Sequence, residues 1–203
     1  MKEFGMVLLG FLSGAVMYSY WLPKVVFKVD VREGTTDQNP GGYNAFMLHR
    51  TLGLICILLD MLKGLIPVYF FVKKIGMDSP WICPMLLAPV LGHAFTPLFK
   101  GKGGKALSTA AGTFLGLLPT NGMGVLLLVI ALLLSVVIKI NPFEMRVAAI
   151  MISFNLLIIL FKWTNVWISI ASWSITGILW HKQMEKKLED RPFTCTPFWR
   201  KAC

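Results

Sequence analysis

The chain has 203 residues, 56% of them hydrophobic, and its mean hydropathy is +0.67. A soluble domain of this length cannot bury that much apolar surface, so the composition excludes a soluble globular protein and predicts several membrane spans. The formal net charge is +10. In a membrane protein, excess Lys and Arg residues collect in the cytoplasmic loops, where they contact anionic lipid headgroups. Membrane lipid is therefore an expected partner, and nucleic acid is not.

Seven apolar runs predict an all-α, polytopic membrane helix bundle that forms a single integral membrane domain over residues 1–203. The predicted spans are 4–22, 54–72, 80–99, 107–120, 122–139, 147–161 and 165–181. The first run is long enough to cross a membrane, so it is interpreted as an uncleaved helix and not as a signal peptide. The fourth run is short for a full crossing, which leaves five or six full spans as an alternative.

The connections between these spans carry the positive charge unevenly. If the loops 23–53, 100–105 and 140–146 lie on the same side as the tail 182–203, that side holds fifteen of the 20 Lys and Arg residues, counting Lys139 at the end of the fifth span. The other side holds four, and Lys63 lies within a span. Positive charge collects on the cytoplasmic side, so the N-terminus is predicted outside and the C-terminus in the cytoplasm.

Two loops on the predicted cytoplasmic side are suited to binding an anion. In Lys100-Gly-Lys-Gly-Gly-Lys105, glycine N–H groups can approach a phosphate while the lysines neutralise it. It is not a Walker A loop, because Ala106 stands where that motif needs Ser or Thr. The segment Asn39-Pro-Gly-Gly-Tyr-Asn44, with Arg50 downstream, could cradle an anion or a polyol. The alternatives are a basic turn against lipid headgroups and an ordinary turn-rich loop.

Ionisable residues also occur within or beside the apolar runs. Asp60 and Lys63 share one helix face, and charges at this depth are rare unless they are paired or face a polar cavity. They therefore either brace the bundle or support a polar site. His93 and His181 could bind phosphate, act as acid or base, or be interfacial residues. The cysteines are scattered without metal-ligand spacing, so neither a disulfide framework nor a metal is expected.

Taken together, these segments resemble the bacterial acyl-phosphate:glycerol-3-phosphate acyltransferases of the PlsY type. The most specific match is the stretch from Gly92-His-Ala-Phe to Ser-Thr109, which resembles the family pattern G-H-x-F-P…K-x-K-G-G-K-G-V-A-T. Leu59-Asp-Met-Leu-Lys-Gly64 resembles its L-D-x-x-K-G, and Asp30-Val-Arg32 its D-x-R. Segments 39–44 and 50–53 resemble the end of G-S-G-N-x-G-A-T-N and the motif R-x-L-G.

The resemblance implies an enzyme that moves a fatty acyl group from acyl phosphate to the 1-hydroxyl of glycerol 3-phosphate. The product would be lysophosphatidic acid, for phospholipid synthesis. It also implies a bundle of about seven helices in the bacterial inner membrane, with the active site at the cytoplasmic face and with neither a metal nor a bound cofactor. No nucleophile–base pair is evident in the sequence, so direct transfer within a ternary complex is expected.

The resemblance also assigns roles to individual residues. The residues expected to take part in catalysis are His181, Lys105 and Asn39. Those expected to bind substrate are Arg50, Asn44, Gly41, Lys102, Gly103, Gly104, His93 and Thr109. Asp60 and Lys63 are expected to support the site. The cations and the N–H groups of Gly103 and Gly104 would hold the phosphates and stabilise the leaving group.

Several positions depart from the family pattern. Thr36-Asp37-Gln38 stands in place of G-S-G, Tyr43 in place of a threonine, and Met184 in place of an asparagine. Segment 142–149 contains no serine where the family has one. These departures keep two alternatives open. One is a catalytically altered relative that acts on another acceptor. The other is a membrane protein that binds or transports a phospholipid or an organophosphate.

Overall fold

Within the part of the chain that the structure describes, the secondary structure is helical with one short two-stranded ribbon. The computed structural model describes residues 1–33, 35, 37–118, 120–162, 164–185 and 193–197, so Thr36 and most of the basic tail lie outside the described residues. In chain order the helices are α1 (Lys2–Ala15), α2 (Tyr18–Phe27), α3 (Gly42–Leu48), α4 (Arg50–Ile75), α5 (Ile82–Ala94), α6 (Leu107–Leu115), α7 (Met123–Leu132), α8 (Phe143–Leu160) and α9 (Val166–Met184). A 3-10 turn at Pro97–Phe99 follows α5, a π turn at Leu133–Val137 extends α7, and β1 (Ile138–Asn141) pairs with β2 (Thr194–Pro197).

Three helical segments among the described residues are long and apolar enough to cross a membrane: Arg50–Ile75, Ile82–Phe99 and Phe143–Leu160. They correspond to the second, third and sixth predicted spans. Only 28% of the apolar window in Phe143–Leu160 is buried, which is the exposure expected of a helix that faces lipid. The pair α1 and α2 would add a fourth crossing with a 41° bend, and Met123–Val137 is apolar but shorter. The count of seven spans therefore stays a prediction.

The first predicted span is not one continuous helix. It breaks at Val16, whose extended backbone (φ −70°, ψ 121°) separates α1 from α2. A break inside a membrane needs partners for the carbonyl groups that it frees. Here Thr96 donates its hydroxyl to the Ala15 carbonyl at 2.9 Å, and Lys63 donates to the Val16 carbonyl. Side chains from α4 and from the segment after α5 thus satisfy the broken end.

Two other expectations need correction. In the fourth predicted span, the helix among the described residues is α6, with nine residues. At 1.5 Å per residue this helix is about 14 Å long, less than half of a hydrocarbon core. The predicted loop 23–53 is partly helical, because it contains the end of α2, all of α3 and the start of α4. Arg50 is consequently the first residue of α4 and not a loop residue.

Glycines allow the central helices to approach each other closely. A Cβ at Gly14 of α1 would overlap the backbone of Pro89 in α5, and one at Gly112 of α6 would overlap the carbonyl of Met61 in α4. Gly116 follows Gly112 by four residues and also faces α4, which is the small-residue spacing that lets membrane helices pack at short range. These contacts pack α1 against α5 and α6 against α4.

The ribbon ties the described part of the tail to the connection before α8. Ile138 pairs with Pro197 at one end of the antiparallel register. Arg146 of α8 donates to the Ile140 carbonyl at 2.8 Å and to Asn141 Oδ1 at 3.0 Å. The tail segment is therefore held by backbone pairing, and the strand that it pairs with is braced by α8.

Candidate active site

A polar cleft of about 730 Å³ opens between the loop that follows α2, the glycine–lysine loop (residues 100–105) and the C-terminal end of α9. Its lining residues are Asp30, Arg32, Glu33, Thr35, Asp37, Gln38, Asn39, Pro40, Lys102, Gly103, Lys105, Lys182 and Glu185. All three segments belong to the connections whose positive charge predicts one common side of the membrane.

Asn44 organises the loop on one wall of this cleft. It lies buried in the first turn of α3, and its Nδ2 donates to Asn39 O at 2.8 Å, to Asp37 Oδ1 at 3.0 Å and to Thr35 Oγ1 at 3.1 Å. Asn39, which lines the cleft, donates its own backbone N–H to Asp37 Oδ1 at 3.2 Å. Gly41 lies behind Asn39, because a Cβ there would come 2.8 Å from the Asn39 amide nitrogen.

Asp37 links this loop to the glycine–lysine loop. Its Oδ2 lies 3.2 Å from Lys105 Nζ, while Oδ1 accepts the two hydrogen bonds from Asn44 and Asn39. Burial raises the pKa of the Asp37 carboxyl, but these hydrogen bonds and the charge of Lys105 lower it by more, so the pKa lies below its ordinary value. Asp37 is therefore ionised at neutral pH and holds Lys105 against Asn44.

The N–H groups of Gly103 and Gly104 do not point into the cleft. Gly103 donates to the Ala94 carbonyl and Gly104 to the His93 carbonyl, both at 3.1 Å. These bonds occupy the carbonyl groups that the end of α5 leaves free. The predicted contact between these two N–H groups and an anion is thus not available in this structure. The glycines are required for a different reason, because a Cβ at Gly103 would overlap the His93 carbonyl and one at Gly104 the His93 ring.

Two cations of the cleft were not among the predicted site residues. Lys182 is buried, lines the cleft, forms an ion pair with Glu185 and lies 5.4 Å from the centre of the Phe95 ring. No sequence signal distinguishes Lys182 from its neighbour His181.

Arg32 pairs with Asp30 at 2.6 Å, which raises the pKa of the guanidinium and lowers that of the carboxyl. Arg32 belongs to the D-x-R match, which was the available signal.

Arg50 and His181 do not line the cleft. Arg50 is exposed at the start of α4. The His181 side chain is 64% exposed, and its Nε2 lies 3.5 Å from Glu185 Oε1. Of the predicted site residues, the structure brings Asn39, Lys102, Gly103 and Lys105 together, with Asn44 directly behind Asn39.

Asp60 and Lys63 form a buried ion pair beneath the loops. Their side chains are each 2% exposed, and Lys63 Nζ lies 2.8 Å from Asp60 Oδ1. Ser19 of α2 donates its hydroxyl to Asp60, and Lys63 donates to the Val16 carbonyl at the break in the first crossing. The pair therefore connects α4 to α2 and to the end of α1, and among the described residues it has no direct part in the cleft lining.

His93 and Thr109 continue this buried layer towards the glycine–lysine loop. The His93 Nδ1 lies 3.1 Å from Thr109 Oγ1 and 3.9 Å from Asp60 Oδ1. Both residues are buried, and the other side of the His93 ring faces Gly104. His93 and Thr109, predicted to bind substrate, are thus placed where they support the loop that carries Lys102 and Lys105.

A second cleft of about 180 Å³ lies between α6, α7 and α8 and is almost entirely apolar. Its lining residues are Leu107, Ala110, Ala111, Leu127, Leu128, Ala131, Ser135, Phe143, Arg146, Val147, Ile150, Met151 and Leu179. Leu107 follows Lys105 by two residues, and Leu179 precedes Lys182 by about one helical turn. The apolar cleft therefore begins close to the segments that line the polar one.

The family model of glycerol-3-phosphate acyltransferase matches residues 4–190. The glycerol-3-phosphate acyltransferase of Geobacter sulfurreducens is 42% identical over 105 residues, which cover 51% of this chain and 53% of that protein. Glycerol-3-phosphate acyltransferase 1 of Thermotoga maritima is 38% identical over 117 residues, covering 56% and 57%. The chain thus spans little more than half the length of these curated relatives.

The fold is similar to that of a solved membrane protein. The crystal structure of PlsY (YgiH), an integral membrane glycerol 3-phosphate acyltransferase in its glycerol 3-phosphate form, superposes with a TM-score of 0.79. The superposition covers 91% of this chain and 90% of that chain, at 24% sequence identity. This similarity assigns the described helices to an integral membrane fold.

Proposed function

The chain belongs to the glycerol-3-phosphate acyltransferase family, and on this premise we propose that it moves a fatty acyl group from acyl phosphate to the 1-hydroxyl of glycerol 3-phosphate. The product is lysophosphatidic acid. The observation that carries the proposal is the polar cleft, in which Arg32, Lys102, Lys105 and Lys182 from three separate chain segments meet. Both substrates carry phosphate, and clustered cations are the groups that recognise it.

The reaction proceeds by direct transfer. The 1-hydroxyl oxygen of glycerol 3-phosphate attacks the acyl carbon, the new ester bond forms, and the bond from that carbon to the phosphate oxygen breaks. Inorganic phosphate leaves with the electron pair, and the hydroxyl proton passes to a phosphate oxygen. The described lining of the cleft contains no Ser, Cys or His, which supports a route without a covalent enzyme intermediate.

The residues of the cleft have separate tasks in this route. Lys102 and Lys105 bind the phosphates and stabilise the charge that develops on the leaving group. Asn39 orients the glycerol. The side-chain amide of Asn44 holds Asn39 in place by donating to the backbone carbonyl of Asn39. His181 is adjacent to Lys182, and its proposed phosphate contact requires its exposed side chain to turn towards the cleft.

The acyl chain lies in the apolar cleft between α6, α7 and α8. Leu107 and Leu179 at its border are close in sequence to Lys105 and Lys182. An acyl phosphate whose phosphate is held by those lysines therefore leaves its acyl chain against apolar side chains. Replacing Ala111 in this lining by Trp is expected to reduce turnover of long acyl phosphates more than that of short ones. Equal losses for both would argue against this placement.

The proposed orientation puts the N-terminus outside, the C-terminus in the cytoplasm and the cleft at the cytoplasmic face of the inner membrane, with about seven spans. The charge bias of the loops supports this orientation. The meeting of the glycine–lysine loop with the end of α9 supports it further, because both were assigned to one side by their charge alone.

A second candidate is a membrane protein that binds or transports a phospholipid or an organophosphate. The observation that favours it is the pairing of cations within the cleft, with Lys105 held by Asp37 and Lys182 held by Glu185. Uptake of a labelled organophosphate into liposomes, without formation of any acyl ester, would favour this candidate over the enzyme.

The test of the enzyme is lysophosphatidate formation by the purified full-length protein, supplied with acyl phosphate and glycerol 3-phosphate. Loss of one charge-assisted contact in Lys105→Ala is expected to lower kcat/KM by roughly tenfold to a hundredfold. Lys100→Asn is the matched control. It removes an exposed lysine of the same loop that does not line the cleft, and asparagine tolerates the left-handed backbone found there (φ 52°). Wild-type protein that forms no more product than Lys105→Ala would refute the proposal.

A further inference from the structure

The Asp37 carboxylate is held by three donors from two separate chain segments. Both of its carboxylate oxygens are engaged: Oδ1 accepts from the Asn44 amide and the Asn39 N–H, and Oδ2 faces the Lys105 ammonium. The Asp37 side chain is only 15% exposed. An amide, a backbone N–H and an ammonium converging on one group are donors suited to a phosphate, and here they converge on a carboxylate of the protein itself.

The described lining of the cleft carries no net charge as a result. Its four cations are Arg32, Lys102, Lys105 and Lys182, and its four carboxylates are Asp30, Glu33, Asp37 and Glu185. Three of the cations form ion pairs with lining carboxylates, and within the described residues Lys102 does not. A site built only to attract phosphate would leave more of its cations free.

Asp37 differs from the other two paired carboxylates in what it holds. Asp30 binds a guanidinium two residues away, and Glu185, directly after α9, binds a lysine three residues away. Asp37 instead bridges two distant parts of the chain, the wall that carries Asn39 and the glycine–lysine loop.

We propose that Asp37 determines the acceptor specificity of the cleft, because its carboxylate competes with ligand phosphate for Lys105, Asn44 and the Asn39 N–H. This inference rests on the proposed function only in naming glycerol 3-phosphate as the acceptor. The competition between the Asp37 carboxylate and a phosphate does not depend on acyl transfer. A phosphate must displace the carboxylate from Lys105 in order to bind, and it then remains close to that negative charge. The penalty grows with the charge of the ligand, so Asp37 weakens the preference for phosphorylated over uncharged acceptors.

The distinguishing consequence is a dependence on ligand charge. If removing the Asp37 charge improves binding of a monoanion by a factor of about 2–3, the same electrostatic change improves binding of a dianion by about the square of that factor, roughly fourfold to ninefold. A purely structural role for Asp37 would change the binding of both ligands alike.

The experiment measures binding of inorganic phosphate and of dimethyl phosphate to the full-length protein in dodecyl maltoside, by calorimetry at about pH 8, where inorganic phosphate is mainly a dianion. The variant is Asp37→Asn. The control is Glu33→Gln, which removes the same charge from the cleft lining without releasing Lys105. Asp37→Ser is the second variant if Asp37→Asn fails to fold.

Asp37→Asn is expected to tighten phosphate binding roughly fourfold to ninefold and dimethyl phosphate binding about twofold to threefold, while Glu33→Gln changes phosphate binding by less than about twofold. In the acyl transfer assay, KM for glycerol 3-phosphate is expected to fall in Asp37→Asn. Unchanged or weaker phosphate binding overturns the inference, as does an equal gain for both ligands or an equal gain in Glu33→Gln. Phosphate binding needs no turnover, so failure of the proposed acyl transfer leaves this test intact.

Discussion

Replacing Gly104 by alanine is expected to destabilise the protein and to displace the lysines of the cleft. The added Cβ would overlap the His93 ring. That ring is 4% exposed and is fixed on its other edge by Thr109 at 3.1 Å, so it cannot swing away. Overpacking of this kind costs about 1–3 kcal/mol. At about 2–4 °C per kcal/mol for a chain of this length, a loss of about 2 kcal/mol lowers the thermal midpoint by roughly 4–8 °C.

The assay is thermal unfolding of the purified protein in detergent, combined with acyl transfer kinetics below the transition. The matched control is Gly122→Ala, because Gly122 has an ordinary backbone (φ −81°) and open space around the position of a Cβ. The control is expected to change stability by less than about 0.5 kcal/mol. In Gly104→Ala, KM for glycerol 3-phosphate is also expected to rise, because Lys105 follows directly in the chain.

The reasoning is refuted if Gly104→Ala unfolds at the same temperature as the wild type. Such a result would mean that the His93 ring can move, and that the layer of His93 and Thr109 does not fix the glycine–lysine loop. A lower midpoint with an unchanged KM would instead separate the support of the fold from the positioning of the lysines.

Three further predictions concern other parts of the molecule. Lys63→Met leaves the buried Asp60 carboxylate without its cation and is expected to destabilise the protein by about 3–5 kcal/mol; a thermal midpoint within 2 °C of the wild type would contradict this. Gly112→Leu places a side chain against the backbone of α4 and is expected to abolish the monodisperse peak in size-exclusion chromatography. The control Gly177→Leu, where there is open space for a side chain, is expected to keep that peak. Identical profiles for the two variants would count against the close packing of α6. The hydrogen bond from the Arg32 guanidinium lowers the pKa of the Asp30 carboxyl in the folded protein. The ion pair therefore contributes its full stability above the pKa that this carboxyl has in the unfolded chain. That contribution is lost as the pH falls through the pKa of the folded state. The difference in thermal midpoint between wild type and Asp30→Asn should therefore be constant from about pH 7 to 5 and shrink below about pH 4, and a constant difference at low pH would exclude this origin.

Hydropathy located the long crossings because the length of an apolar run is set directly by the thickness of the bilayer. The second, third and sixth predicted spans correspond to helical segments for this reason. The break at Val16 could not be predicted in the same way. The apolar run continues through it without proline, and the groups that satisfy the broken end, Thr96 and Lys63, lie far away in the sequence.

The candidate site was predictable in its members and less so in their orientation. The charge bias of the loops predicts Asn39, Lys102 and Lys105 on one side of the membrane, and the structure places them around one cleft. A glycine pattern, however, does not distinguish an N–H that faces a ligand from one that faces a carbonyl, since both require the absence of a Cβ. Adjacent residues on a helix differ by about 100° in direction, so a rotation of α9 that no motif fixes decides between His181 and Lys182.

The segment Leu59-Asp-Met-Leu-Lys-Gly64 makes contacts that hold helices together, so finding the same motif in another chain indicates a shared fold. Lys63 caps the interrupted first crossing, Asp60 holds that lysine and the start of α2, and Gly64 gives room to the backbone of α6. None of the three lines the described cleft. A chain that retains this motif but lacks the cations at positions 102 and 105 is therefore expected to assemble the same bundle without the same chemistry. On the proposed function, the motif serves as a marker of shared architecture, and activity is to be judged from the lysine loop instead.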